Sequence, residues 1–348
     1  MNGRRLALRM LAAALLMAFG FTAVLSSRAW ESRAEYAYML DAAKRTQAAF
    51  VAVKTERQRR GLSIQKADDL NETGLIGDYL TPVTTTLGNL EAKRTSVNPN
   101  AAALVVHLLF EAGVRPGDRI GVNCSGSFPA LNLAVLCAMD AMELEGTVFS
   151  SVGASTYGAN LEEFTYQDME YDLFAKGYIQ HRSAYVSWGG ANDQGLEFSE
   201  EVKTAILARL AGQGYSFWEI DDLEENIQAR LDCYGDVVCF VNVGGNLVST
   251  GGGTAYDGGC GLLRSGSDDQ GLIGQYVTQD IPVLHLLNLK KLFPQYGLPV
   301  DPIPTPQPGE GTVYYEQTVS LPLVWSTLAA GMLTLVWAVK GTVKRQPI

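Results

Sequence analysis

The chain has 348 residues, five cysteines and a formal net charge of −10. The four arginines of residues 1–30 and the three cations of residues 340–348 have no acids among them, so the stretch between carries a net −17. A body that acidic repels phosphate, which excludes nucleic acid or an anionic lipid surface as its electrostatic partner.

Two uncharged apolar runs bracket the chain. The first, Met10 to Ser27, follows Arg4, Arg5 and Arg9. The second, Val319 to Val339, precedes Lys340, Lys344 and Arg345. Runs of roughly 20 apolar residues span a bilayer's hydrocarbon core as helices. Basic flanks stay on the cytoplasmic side, so the pattern predicts a cell-membrane protein with both termini cytoplasmic and the main domain extracytoplasmic. The competing reading of the first run is a cleaved signal peptide, but Ala23 to Arg28 offers no Ala-x-Ala site.

Ala29 to Arg60, rich in Ala, Arg, Lys and Glu, predicts a long helix leading away from the membrane, and Thr73 to Pro99 predicts a loop. Helices and strands then alternate. Helices are expected at Ala101–Ala112, Pro129–Glu143, Leu161–Lys176, Ser199–Ala211, Asp222–Cys233 and Asn288–Tyr296. Strands are expected at Arg119–Asn123, Thr147–Val152, Ala184–Trp188, Val237–Val243 and Pro282–Leu287. Such alternation predicts an α/β fold, a mainly parallel, helix-covered sheet in one extracytoplasmic domain. Pro302, Pro304, Pro306 and Pro308 predict an extended spacer before the second apolar run. The expected domains are therefore an N-terminal anchor (1–28), a helical stalk (29–72), the α/β domain (73–300), a Pro-rich spacer (301–318), a transmembrane helix (319–340) and a cytoplasmic tail (341–348).

Gly74-Leu75-Ile76-Gly77-Asp78-Tyr79-Leu80-Thr81 matches Gly271-Leu272-Ile273-Gly274-Gln275-Tyr276-Val277-Thr278 at six of eight positions. This suggests either two equivalent loops flanking one cleft or a chance match between Gly-rich turns. Cys233 and Cys239 flank a short turn and are either a bridged pair or two small buried hydrophobes.

The first four proposed strands each run into small polar residues. The loops are Asn123-Cys124-Ser125-Gly126-Ser127, Ser150-Ser151-Val152-Gly153-Ala154-Ser155-Thr156, Ser187-Trp188-Gly189-Gly190-Ala191-Asn192-Asp193 and Asn242-Val243-Gly244-Gly245-Asn246. Ligands of open α/β sheets bind at the carboxyl ends of strands. Glycine admits close backbone approach, while Ser and Asn supply donors without bulk. Asn123, Gly126, Ser151, Gly189, Gly190, Asn192, Asp193, Asn242, Gly244, Gly245 and Asn246 are therefore the expected ligand-binding residues. Asp193 is either a capping group or a holder of a substrate amide or cation.

Ser125, Ser127 and Cys124 sit on a turn before a helix opened by Pro129, where a nucleophile would be exposed, although the Gly-x-Ser-x-Gly spacing is lacking. Cys260, in a Gly-rich segment, is a further candidate nucleophile or simply part of a surface loop. Of three histidines, His107 and His285 lie in apolar runs, which leaves His181 as the expected base. No zinc-type spacing and no nucleotide fingerprint is present, so neither metal nor cofactor is expected.

Gly74 to Gly77, Thr84-Thr85-Thr86-Leu87-Gly88, Leu90-Glu91-Ala92-Lys93-Arg94-Thr95 with Asn98-Pro99, and Ser125 to Asn132 form a distinctive set. With Gly189 to Asp193 and Asn242 to Asn246, they give a chain that resembles the poly-γ-glutamate system protein family over nearly its whole length. These are bacterial membrane proteins encoded with the machinery that makes and exports poly-γ-glutamate. The resemblance implies an accessory binding or assembly role, with the polymer and its synthase and export proteins as partners. It transfers no catalytic residues. The alternative from the residues is a membrane-tethered Ser or Cys amide hydrolase or acyltransferase, acting on a glutamyl polymer or cell-wall peptide. A scaffold without ligand would leave the four loops apart.

Overall fold

Six of the seven residues of Arg119–Ser125 are buried, the pattern of a strand covered on both faces. In the computed structural model, which describes residues 3–252, 259–266 and 270–340, this strand is the centre of a seven-stranded sheet. In chain order the strands are β1 (Arg119–Ser125), β2 (Glu145–Ser151), β3 (Tyr185–Ser187), β4 (Ser216–Phe217), β5 (Cys239–Val243), β6 (Gly261–Leu263) and β7 (Val283–Leu286). Their spatial order is β6-β7-β5-β1-β2-β3-β4. All neighbours are parallel except β6, which is antiparallel to β7. A mainly parallel α/β sheet is thus what the chain forms.

The chain fills one half of the sheet from β1 to β4, then crosses to the other flank of β1 to lay down β5 and β7. Strand order therefore reverses between β1 and β5, and the carboxyl ends there splay to leave a crevice. The parallel register sets Ser125, Ser151 and Ser187 side by side, and likewise Asn242, Asn123 and Phe149. Since side chains alternate along a strand, Asn123 and Ser125 share one face and Cys124 takes the other.

Phe149 and Phe240 on the first face are covered by the helices Leu223–Tyr234 and Gly271–Thr278. The helices Tyr36–Arg59, Ala101–Ala112 and Pro129–Ala141 pack on one another as a further layer. All thirteen residues of Pro129–Ala141 are buried, which explains its lack of an exposed polar stripe. Local signals start several helices: Asp222 caps Leu223–Tyr234, Ser199 caps Glu200–Gly212, and Thr165 with Asp168 forms a capping box at the start of Tyr166–Ala175.

The molecule divides into two units, one of residues up to Arg33 and from Tyr315 onward, the other Ala34–Tyr314. In the first, Gly3–Ser26 packs along Leu321–Lys340. Both helices are long and apolar enough to cross a membrane. Gly20 lets Thr327 close against the backbone, and Gly331 does the same for Met17. The pairing continues as an antiparallel ribbon, Ala29–Ser32 against Tyr315–Thr318, with Ala29 opposite Thr318. The tail 341–348 lies outside the described residues, as do residues 253–258 and 267–269.

Several expectations are corrected. The helix expected as a stalk over 29–72 belongs to the α/β body: Met39, Ala42, Ala43, Thr46, Ala49, Phe50 and Val53 are buried along it. Small alanines on one face made it read as polar, yet they allow close helix packing. Of the Pro-rich spacer expected over 301–318, residues 301–314 are folded onto the same body and Tyr315–Thr318 belongs to the ribbon of the first unit, so neither 73 nor 300 is a boundary. Asp301 pairs with Arg94 at 2.5 Å, Pro302 accepts from Asn71, and Tyr314 is buried with its hydroxyl on Asn100. The two copies of the Gly-Leu-Ile-Gly motif differ, since Gly74–Thr81 is a loop and Gly271–Thr278 a helix. Cys233 and Cys239 are unbridged, and all five thiols are free.

Candidate functional site

The strand-end loops converge. A cleft of about 700 Å3 opens over the carboxyl ends of β1, β2 and β5, with Ser125, Ser127, Ser151, Gly190, Gly245 and Asn246 in its wall. A further part of the wall comes from a segment expected to be a loop, where Thr84–Thr86 pairs with Ala154–Ser155 and the short helix Leu90–Ser96 follows. That segment contributes Gly88, Ala92 and Lys93.

The glycines act mainly through packing. A Cβ at Gly126 would lie 2.7 Å from the carbonyl oxygen of Val152, so only glycine lets the β1 turn touch the β2 turn. Gly244, with φ +91°, sits against the Ser125 Cβ. Asn242 donates to the Gly244 carbonyl at 2.7 Å and meets His285 Nδ1 at 3.0 Å, which shapes the turn rather than lining the cleft.

Beneath the cleft lies a buried polar network centred on Arg230. Its guanidinium donates to Asn123 Oδ1 (2.8 Å), Ser187 Oγ (3.0 Å), Asn226 Oδ1 (3.0 Å) and Asp193 Oδ2 (2.5 Å). Asp193 Oδ1 in turn accepts from Ser187 Oγ and from the Gly189 N–H. Asn123 donates to Asn246 Oδ1 and Ser249 Oγ. Asn123, Gly189 and Asp193 are therefore supports for the loops, and the expectation that Asp193 holds a cation or substrate amide is corrected by its pairing with Arg230. Asn192 is exposed, outside the lining. Among the described residues, no group of three metal-ligating side chains comes together.

The expected nucleophile and base sets also change. Cys124 is fully buried on the opposite face from Ser125, and burial pushes its thiol well above the ordinary range. Cys260 is half-buried outside the cleft wall, and burial raises it too. His181 Nδ1 meets Asp140 Oδ1 at 2.5 Å, where Asp140 closes the carboxyl end of Pro129–Ala141, away from that helix's start at the cleft. His107 is held by Glu35. No histidine lines the cleft among the described residues.

Lys93 was missed as a site residue. It is only 2% exposed, and its Nζ donates to Ser155 Oγ at 2.7 Å and to the Ser127 carbonyl. The Nζ lies 3.8 Å from the centroid of the Phe128 ring. Ser127 Oγ accepts from the Ser155 N–H at 3.0 Å, and Ser125 Oγ accepts from the Ser127 N–H at 3.2 Å. Burial brings the Lys93 amine down to about 7. It is the one cation in the cleft wall among the described residues, and Glu197 the one acid. In sequence, Lys93 is an ordinary lysine between Glu91 and Arg94 on a short polar helix; the only signal was its place within the family-like run.

Compared with known proteins, the chain matches no family model, no curated protein and no solved structure.

Proposed function

We propose that this protein is a membrane-anchored accessory component of bacterial poly-γ-glutamate synthesis or export, whose cleft binds glutamyl carboxylates of the polymer. The observation that carries the binding reading is Lys93, a cation set in the wall of an otherwise neutral cleft apart from Glu197. A polyanion is repelled by an acidic body unless a local positive group receives it. A carboxylate reaching the cleft wall beside Ser155 meets the Lys93 ammonium in a desolvated setting, where such a pair is strong.

The membrane placement rests on the paired apolar helices and their basic outer flanks. The ribbon joins the inner ends of both helices, so both segments enter the bilayer from the same side. Arg4, Arg5 and Arg9 at one tip, with Lys340, Lys344 and Arg345 at the other, favour a cytoplasmic location for both tips. The body between them then faces outward, where an exported polymer passes.

Calorimetric titration of an oligo-γ-glutamate into the detergent-solubilised full chain tests the binding. Saturable binding with proton uptake at about pH 7.5 is expected, because a bound carboxylate raises the Lys93 amine. Absence of saturable binding to the wild-type protein refutes this reading. Co-purification of a polyglutamate synthase from membranes of a polymer-producing cell tests the assembly role, and recovery without it counts against that role.

A further inference from the structure

Carboxylate binding accounts for the ammonium of Lys93 but leaves the Ser155 hydroxyl unused. We propose that Ser155 is a nucleophile and Lys93 its general base, and that the pair carries out acyl transfer from an amide held in the cleft. The substrate class, a γ-glutamyl amide, rests on the polymer reading; the serine–lysine chemistry does not.

Geometry supports the pair. Ser155 Oγ and Lys93 Nζ are within hydrogen-bond reach at 2.7 Å, and both side chains line the cleft. The nucleophile's backbone is fixed by Ser127 Oγ, and the amine is fixed by the Ser127 carbonyl and the Phe128 ring. A neutral amine uses one hydrogen for that carbonyl and keeps its lone pair for the serine proton. Lysine can replace histidine as partner of a serine only when enough of it is unprotonated. Burial supplies that condition, since Lys93 reaches about 7. Among the described residues Glu197 is the other titratable group in the cleft wall, while on the lysine's own helix Glu91 is paired with Lys290 and Arg94 with Asp301.

In the first step Ser155 Oγ bonds to the amide carbonyl carbon and its proton passes to Lys93 Nζ. The carbon–nitrogen bond then breaks, and the Lys93 ammonium returns the proton to the departing amine, which leaves an ester on Ser155. Water, or a second amine, attacks the ester and gives its proton to Lys93, and Ser155 Oγ departs with that proton. The products are an acid and an amine, or a new amide.

The test uses an alkyl fluorophosphonate and a β-lactone on the full chain in detergent, read by intact mass and peptide mapping across a pH series. A single adduct on Ser155 is expected, forming roughly tenfold faster at about pH 8.5 than at about pH 6, with a plateau above about pH 8. Ser155→Ala should abolish it, Lys93→Met should abolish it, and Cys260→Ala should leave it unchanged. If Lys93→Met does not fold, the wild-type adduct map and pH profile decide alone. No adduct on Ser155 from either probe in folded protein, an adduct elsewhere, or a rate that climbs with hydroxide without a plateau overturns the proposal. Oligo-γ-glutamate binding without an adduct refutes the chemistry alone, and an adduct without binding refutes the polymer reading alone.

Discussion

Arg230 and Asp193 form an ion pair at 2.5 Å with both side chains almost wholly buried, and the pair joins the helix Leu223–Tyr234 to the turn after β3. Through Asn123 and Ser187 the same guanidinium also touches β1 and the end of β3. Removing one partner strands a buried charge. Arg230→Met or Asp193→Asn should therefore lower stability by about 3–5 kcal/mol in urea unfolding. An apolar double replacement should recover part of that loss.

Lys93 gives stability a defined pH dependence. Its amine falls from the ordinary lysine value of 10.5 to about 7 in the fold, a depressed value. The unprotonated form is favoured by folding, so its contribution is full above 10.5 and is lost as pH falls toward 7, with little further change below. Lys93→Met lacks this loss. The stability difference between variant and wild type should thus move in the variant's favour by about 1.4 kcal/mol per pH unit between those limits. Unfolding curves at several pH values check it, and parallel curves would contradict it.

Gly88 borders the site closely. A Cβ there would stand 2.8 Å from Ser155 Oγ and 3.1 Å from Lys93 Cε. Gly88→Val should reduce oligo-γ-glutamate affinity by at least about tenfold, a loss of about 1.4 kcal/mol. Titration calorimetry measures it, with a thermal melt to show that the variant is folded.

Thiol accessibility follows from burial. Cys124, Cys137 and Cys239 are buried, whereas Cys233 and Cys260 are half-buried. A thiol reagent should modify Cys233 and Cys260 in the native protein and the other three only after denaturation. Mass mapping of the modified peptides distinguishes the two groups.

The ribbon next to the membrane helices can be trapped chemically. Glu31 faces Glu316 across it. Cysteines at these two positions, in a chain otherwise free of thiols, should form an intramolecular disulfide on mild oxidation, seen as a mobility shift that reductant reverses. Failure to cross-link would contradict the pairing.

Legibility in the sequence tracked how local each cause is. Ala101–Ala112 has the same limits in sequence and structure, because a run of apolar helix formers ends at Gly113 in the left-handed region. Pro129 likewise marked the start of its helix. The two-residue strand β4 and the edge strand β6 had too few residues to show a period. The helix Gly271–Thr278 was hidden by its two glycines, which lower helix propensity but are tolerated where the helix is buried. At the site, strand-end loops announced Ser125, Ser127, Ser151 and Asn246, because small polar residues after a strand are a local pattern.

By itself the sequence determined the apolar terminal helices, the alternation that makes a parallel sheet, and the strand-end loops, since each follows from residues adjacent in the chain. Only the tertiary structure decided that strand order reverses between β1 and β5, that Asp193 belongs to Arg230, and that Lys93 reaches Ser155. Those contacts span 37 residues between Asp193 and Arg230 and 62 between Lys93 and Ser155. Lys93 becomes a distinctive amine only when folding removes its water, and desolvation is a property of the assembled neighbours rather than of the residue.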